Sequence, residues 1–104
     1  MRSFVKHALK IASRSKHPKH KLGAVVVKGG SILAKACNHP HWGKCAERRA
    51  LRPHACLSGA VIYIMRSNFK CSKPCPDCML AIRKAGICSV VFVSENGLLE
   101  TVRL

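Results

Sequence analysis

Acidic residues are scarce in this chain of 104 residues, which has four of them against 19 lysines and arginines and a formal net charge of +15 at pH 7. Such a positive excess favours partners that carry phosphates, including nucleotides and nucleic acids, or other anionic surfaces. Aromatic residues are also few, at 5% of the chain. An extended platform of aromatic side chains that stacks on single-stranded nucleic acid is therefore not expected.

Long hydrophobic runs are lacking as well. The longest apolar stretch, over residues 60–65, is far below the roughly 20 residues that cross a bilayer. Lys6, His7 and Lys10 interrupt the apolar run that a secretory signal would need. The seven cysteines are an odd number, which favours metal binding in a reducing compartment over a disulfide framework. We therefore expect a cytoplasmic protein with no membrane partner.

Hydrophobic periodicity and turn residues predict helices that alternate with strands. Ser3 is the expected N-cap of a first helix. Gly29 and Gly30 predict a hairpin between strands over residues 22–27 and 31–37. The remaining predicted elements are a helix over residues 45–52, a strand over residues 60–65, a helix that Cys75 caps and Gly86 ends, and strands over residues 88–93 and 98–104.

The connection between the last two predicted strands is only four residues long, residues 94–97. A parallel crossover needs a dozen or more residues, so these two strands must pair antiparallel. The element order α-β-β-α-β-α-β-β predicts an α/β fold with a mixed five-stranded sheet and helices packed on it. The length suits one domain over residues 1–104, and no repeat, low-complexity segment or linker divides it.

Two motifs carry metal-ligand residues, Cys-Ala-Glu at residues 45–47 and Pro-Cys-Pro-Asp-Cys at residues 74–78. Zinc prefers four ligands, and a catalytic site leaves one of the four positions to water. Three thiolates would fill the other positions, and Glu47 would carry protons to and from the water as a catalytic residue. The pattern predicts one zinc ion per chain, with the ligands Cys45, Cys75 and Cys78.

Each motif begins a predicted helix. At Cys45, unpaired backbone N–H groups and the helix dipole favour a thiolate and lower the pKa of the thiol. Cys78 follows Cys75 by one helical turn, so both sulfurs can converge on one ion. Glu47 lies on a different side of a regular helix from Cys45, so the metal must lie beyond the helix end.

An alternative to the catalytic zinc site is a closed structural zinc site with four cysteine ligands. Its ligands would be Cys71, Cys75, Cys78 and Cys88, with Cys45 buried and Glu47 on the surface. Such a site would not explain a Cys-x-Glu motif at a second helix start. The cysteines outside the two motifs are otherwise expected to be small buried hydrophobic residues, and they are Cys37, Cys56, Cys71 and Cys88.

The two motifs, together with the run of residues 23–27, Asn38 and the Ala-Gly-Ile of residues 85–87, resemble the cytidine and deoxycytidylate deaminase superfamily over nearly the whole chain. The resemblance implies a three-layer fold and hydrolytic deamination, in which water activated by zinc attacks the carbon that bears the exocyclic amine. It implies that Glu47 passes a proton to the leaving ammonia. Asn38 would contact the sugar and the backbone N–H of Ala46 the base. It also implies a homo-oligomer whose subunits complete the active-site wall.

The substrate stays open at this point. A cysteine as first ligand resembles the free-nucleoside cytidine deaminases, whereas Asn38 and the Ser-Lys-Pro of residues 72–74 resemble the deoxycytidylate and tRNA-adenosine branches. Trp42 either stacks on the base or covers the edge of the core. A set of basic residues forms either a phosphate-binding rim or a solvated face, namely Lys16, Lys19, Lys21, Lys44, Arg48, Arg49 and Arg52.

The leading hypothesis is a zinc-dependent hydrolase that deaminates cytidine or deoxycytidine nucleosides or nucleotides to the uracil forms and ammonia. One alternative is deamination of cytosine or adenine within RNA or single-stranded DNA, which the net charge favours and the aromatic content does not. Another is a non-catalytic zinc module that binds nucleic acid through its basic surface.

Overall fold

The computed structural model describes residues 2–16, 21–38 and 57–104. Within them lie the helices α1 (Arg2–Ser13) and α2 (Pro76–Lys84), and the strands β1 (Leu22–Lys28), β2 (Ser31–Cys37), β3 (Val61–Arg66), β4 (Ser89–Val93) and β5 (Leu99–Arg103). The predicted helix over residues 45–52 lies outside the described residues. Every other predicted element is present near its expected bounds. No helix in the described part of the chain is long and apolar enough to cross a membrane.

The five strands form one mixed sheet in the order β2-β1-β3-β4-β5. β1 pairs antiparallel with β2 and β3, β3 pairs parallel with β4, and β4 pairs antiparallel with β5. The antiparallel pairing of the last two strands is confirmed, and Gly97 N donates to Ser94 O at 3.0 Å in the turn that joins them. The predicted hairpin is also confirmed. Gly29 and Gly30 both have positive φ, 59° and 80°, as a type I′ turn requires.

Alternating side chains of the sheet form one hydrophobic cluster on each face, so the fold has three layers. The central strands are covered on both sides, which explains their near-continuous apolar sequences. The cluster under α1 consists of Val5, Ala8, Ile11, Val25, Val27, Tyr63, Met65, Val91 and Val93. The cluster under α2 consists of Ala24, Val26, Leu57, Ala60, Ile62, Ile64, Ile82, Ile87, Val90 and Phe92.

The start of α1 differs from the prediction. The helix begins at Arg2, so Ser3 lies in the first turn and is not the N-cap. Tertiary packing supplies most of the stability of a short helix, and α1 is positioned by its buried face. Phe4 lies against Tyr63 with ring centroids 5.5 Å apart and planes tilted by 40°. Burial raises the pKa of the Tyr63 phenol, which therefore stays neutral inside this layer.

Gly23 allows α1 to lie directly against β1. A Cβ at this position would come closer than 3.0 Å to the backbone N of Ala12 and to the carbonyl O of Ala8. Both atoms belong to the helix backbone, so they cannot move aside as a flexible side chain could. The close approach also brings the C-terminal end of α1 next to the start of β1, where the candidate site lies.

We expect Gly23→Ala to destabilise the fold by about 1–3 kcal/mol, because overpacking forces the backbones of α1 and β1 apart. Urea unfolding followed by circular dichroism measures the loss. Gly97→Asn is the control, since Gly97 has positive φ but open space around its Cβ position, and asparagine tolerates that conformation. An unfolding midpoint for Gly23→Ala equal to that of Gly97→Asn would contradict the close approach.

Candidate functional site

One end of the sheet brings the described site residues together. β3 and β4 both end there, and because β1 is antiparallel to β3, β1 begins there and β2 ends there. We call it the site end of the sheet, defined by Leu22, Cys37, Arg66 and Val93. Asn38 follows β2 directly, and the chain that leaves β3 returns to this end before α2 begins.

Cys75 is the N-cap of α2, as predicted, with extended backbone at φ −68° and ψ 163°. Pro76 suits the first helical turn because it has no N–H to leave unpaired and its φ is already helical. Asp77 adds a negative charge near the positive end of the helix dipole. The Cys75 side chain makes no capping hydrogen bond. Cys78, one turn later, is 2% exposed. Two thiols at the same helix N-terminus, where the dipole favours thiolates, fit a zinc ion as a pair of ligands.

Asn38 is a buried residue whose carboxamide is fixed by two donors. The Ser15 hydroxyl donates to Oδ1 at 2.6 Å, and the backbone N–H of Leu22 donates to the same oxygen at 2.9 Å. Asn38 N in turn donates to Leu22 O at 3.1 Å. Because Oδ1 accepts both bonds, the orientation of the carboxamide is set, and its Nδ2 amide is directed to the opposite side.

The closed structural zinc site is not supported. Among the described residues, which include all four of its proposed ligands, no three His, Cys, Asp or Glu side chains gather to bind a metal. Cys88 precedes β4, whereas Cys75 follows the loop at the other end of that strand. The Cys88 thiol lies instead 3.3 Å from Gly59 O.

The predicted burial of the cysteines outside the two motifs is wrong in part. Cys88 is exposed, and Cys37 and Cys71 are half-buried. Cys88 sits in the connection between α2 and β4, where one side of the chain faces solvent, and a small apolar residue is tolerated there. Cys56 lies outside the described residues.

The first motif and the loop before it lie outside the described residues, and with them Cys45, Ala46, Glu47 and Trp42. The same holds for the basic residues Lys19, Lys44, Arg48, Arg49 and Arg52. Lys16 and Lys21 are described and exposed. Each is the chain neighbour of a residue that hydrogen-bonds the Asn38 side chain, Ser15 for Lys16 and Leu22 for Lys21.

Ser15 and Ser72 are buried polar residues whose structural roles the sequence did not indicate. They are 4% and 5% exposed, and each makes hydrogen bonds to distant parts of the chain, Ser15 to Asn38 and Ser72 to Ile64 and Val93. The only feature of the sequence that could have indicated these roles was the position of each serine, since Ser15 lies shortly before a predicted strand and Ser72 shortly before the second cysteine motif.

We expect Asn38→Ala to cost about 1–3 kcal/mol, because the buried donors of Ser15 and Leu22 would lose their acceptor. The matched control is Asn68→Ala, since Asn68 accepts one hydrogen bond, from Lys70 N, at an exposed position. Chemical denaturation of both variants and the wild type measures the difference. Equal losses in the two variants would show that the Asn38 network contributes nothing beyond an exposed turn.

Solved structures similar to this chain include deaminases of several kinds. The dCMP deaminase of cyanophage S-TIM5, in apo form, is 28% identical with a TM-score of 0.69, over 86% of this chain and 78% of the phage chain. A diaminohydroxyphosphoribosylaminopyrimidine deaminase/5-amino-6-(5-phosphoribosylamino)uracil reductase from Thermotoga maritima is 29% identical with a TM-score of 0.65, over 85% of this chain but only 27% of that one.

A third similarity concerns the fold alone. The cytidine deaminase from Burkholderia pseudomallei is 22% identical with a TM-score of 0.76, over 98% of this chain and 91% of that one. No curated protein sequence is significantly similar to the chain. The family model described as the cytidine and deoxycytidylate deaminase zinc-binding region matches residues 1–94. Since that match spans most of the sequence and the fold agrees with it, the chain belongs to the cytidine and deoxycytidylate deaminase family.

Proposed function

We propose that the chain is a zinc-dependent hydrolase that deaminates cytosine-type nucleosides or nucleotides, converting cytidine or dCMP to uridine or dUMP and ammonia. The observation that carries the proposal is the position of Cys75 and Cys78 at the N-terminus of α2, at the same end of the sheet as Asn38. The similar cyanophage dCMP deaminase was solved in complex with dCMP and dUMP, which supports a pyrimidine nucleotide as substrate.

The proposed roles follow the two motifs. Cys45, Cys75 and Cys78 would hold one zinc ion, which when bound supplies an activated water molecule. Glu47 accepts a proton from the attacking water as its oxygen adds to the carbon that bears the amine. The electron pair of the carbon–nitrogen double bond moves to the ring nitrogen, which takes up that proton from Glu47. Glu47 then moves the remaining hydroxyl proton to the amine nitrogen, which leaves as ammonia while the carbon–oxygen double bond forms. The carbon exchanges its nitrogen for the oxygen of water.

The remaining contacts would hold the substrate. Asn38 donates from Nδ2 to an oxygen of the sugar, and its fixed carboxamide lowers the entropy that would be lost on binding. The backbone N–H of Ala46 contacts the base, and Trp42 stacks on its face. We further propose that residues 1–104 form a single domain that assembles into a homo-oligomer, whose neighbouring subunits complete the wall of the site.

A polymer substrate is the second candidate, deamination of cytosine or adenine within RNA or single-stranded DNA. The net charge of +15 favours it, because neutralising several phosphates releases counterions and strengthens binding. Lys16 and Lys21 are exposed and next in sequence to the two residues that hydrogen-bond Asn38, so they could contact the phosphate of a mononucleotide as well as the backbone of a polymer.

Glu47→Ala tests the chemistry. We expect the rate of ammonia release to fall by at least about 100-fold, the contribution of a positioned general acid–base group, while the zinc content of the purified protein persists. Glu95→Ala is the matched control, because it removes one of the other acidic residues from an exposed turn and should leave the rate unchanged. Deamination that survives Glu47→Ala would show that the proposed mechanism is wrong. An inactive wild type that still binds zinc would favour the non-catalytic module.

The substrate class is tested with cytidine, CMP, dCMP and short RNA and DNA oligomers, with ammonia and the deaminated base as readouts. We expect turnover of the monomers, with KM values that depend weakly on salt. A polymer substrate would instead show an affinity that falls steeply with salt concentration. Turnover of oligomers alone would overturn the proposed substrate and leave the deaminase chemistry in place.

A further inference from the structure

Ser72 occupies the point where β3 and β4 separate at the site end of the sheet. The recorded parallel pairing joins Val61 with Ser89, Ile62 with Val90 and Tyr63 with Val91, and it stops there. Ser72 comes from the loop between β3 and α2 and is 5% exposed. It lies three residues before Cys75.

The hydroxyl of Ser72 lies between Ile64 O of β3 and Val93 N of β4. These two groups would hydrogen-bond each other directly if the parallel pairing of β3 with β4 continued. Two residues further along the same register, Met65 would face Val93, and Val93 N would donate to Ile64 O. In the structure, Val93 N donates to Ser72 Oγ at 2.9 Å, and Ser72 Oγ donates to Ile64 O at 2.7 Å. One hydroxyl, as acceptor and donor at once, therefore relays the missing ladder bond.

The backbone of Ser72 completes the replacement. Its N–H donates to Val93 O at 2.9 Å, the carbonyl that a continued parallel ladder would offer to Arg66 N. Val93 thus makes both of its backbone hydrogen bonds to Ser72. Two hydrogen bonds through the Ser72 hydroxyl span the gap between the strand ends, where a continued ladder would have one, and the loop that leads to Cys75 is fixed in that gap.

Only Lys73 and Pro74 lie between Ser72 and Cys75. Three residues span about 10 Å when fully extended, and Pro74, which lies between them, is buried and has a fixed φ. Met79 N donates to Cys75 O at 2.9 Å, so the first hydrogen bond of α2 is made by Cys75 itself. A shift of the loop at Ser72 therefore moves both sulfurs of α2 together.

We propose that Ser72 is a positioning residue for the metal, a relay that sets the position of Cys75 and Cys78 relative to the ends of β3 and β4. This inference rests on the proposed function only in that Cys75 and Cys78 bind zinc. Without the hydroxyl, Val93 N and Ile64 O would either close directly on each other or stay unsatisfied. In both cases the loop before Cys75 would be held to the strand ends only by the bond from Ser72 N to Val93 O, and its position would be less well fixed.

The test compares Ser72→Ala, Ser72→Thr and Ser15→Ala with the wild type, using the whole chain. Zinc dissociation constants are measured by competition with a chromophoric chelator. The visible spectrum of the cobalt(II) form reports ligand geometry. We expect Ser72→Ala to bind zinc about 10–100-fold more weakly, the usual effect of losing a residue that orients metal ligands, with altered cobalt bands. Ser72→Thr keeps the hydroxyl and should bind zinc within a few-fold of the wild type.

Ser15→Ala is the matched control, because Ser15 is equally buried and hydrogen-bonded but touches Asn38 rather than the cysteine loop. It should lose stability and keep wild-type zinc affinity and cobalt spectrum. Ser72→Ala could be unfolded in the absence of metal. In that case Ser15→Ala is brought to the same degree of unfolding with urea, and zinc is added to both variants until their circular dichroism recovers. The zinc concentrations that restore the two signals are then compared. Equal concentrations would overturn the inference.

The outcomes separate this inference from the proposed function. The zinc site itself would be refuted if the wild type bound neither zinc nor cobalt. It would also be refuted if the variant Cys75→Ser bound zinc as tightly as the wild type. A wild type that binds zinc, with Ser72→Ala and Ser15→Ala equal in affinity and spectrum, would refute only the role of Ser72. Weakened zinc binding in Ser72→Ala and its recovery in Ser72→Thr would support both.

Discussion

The parallel pairing of β3 with β4 is the constraint on which the rest of the structure depends. Two neighbouring parallel strands need a crossover that returns the chain to the end of the sheet where the second strand starts, and α2 provides it. The helix therefore begins where β3 ends, with the positive end of its dipole at the site end. Cys75 owes its place at the same end of the sheet as Asn38 to this topology, because any residue at the N-cap of the crossover helix would lie at that end.

Much of the fold could be predicted because its signals are local. Gly29 and Gly30 specify a hairpin whatever the rest of the chain does, and the four residues 94–97 leave room only for an antiparallel return. The N-cap prediction at Ser3 was wrong because it treated α1 as an isolated helix. The close approach of Gly23 to the backbone of α1, which crosses a long stretch of sequence, has no local pattern.

In the candidate site, too, the features with a local sequence signal could be predicted and those that depend on distant residues could not. The spacing of Cys75 and Cys78 and the proline after Cys75 are local, and the predicted helix start was confirmed. The roles of Ser15 and Ser72 were out of reach, because their hydrogen bonds join residues 23 and 21 positions apart. A serine in a loop has no periodicity that reveals burial. Cys88 was misjudged for a related reason, since the side of a connection that faces solvent depends on the packing of both neighbours.

The scarcity of carboxylates explains why neutral groups hold this end of the sheet together. Four acids cannot neutralise 19 cations, so ion pairs are a poor means of fixing a site in this chain. The three buried polar residues in the described part are two serines and an asparagine, and their hydrogen bonds to backbone groups do not depend on charge. Added salt screens the repulsion among exposed lysines and arginines and leaves buried neutral hydrogen bonds unchanged. Binding of an anionic substrate can therefore respond to ionic strength while the geometry around Asn38 and Ser72 stays constant.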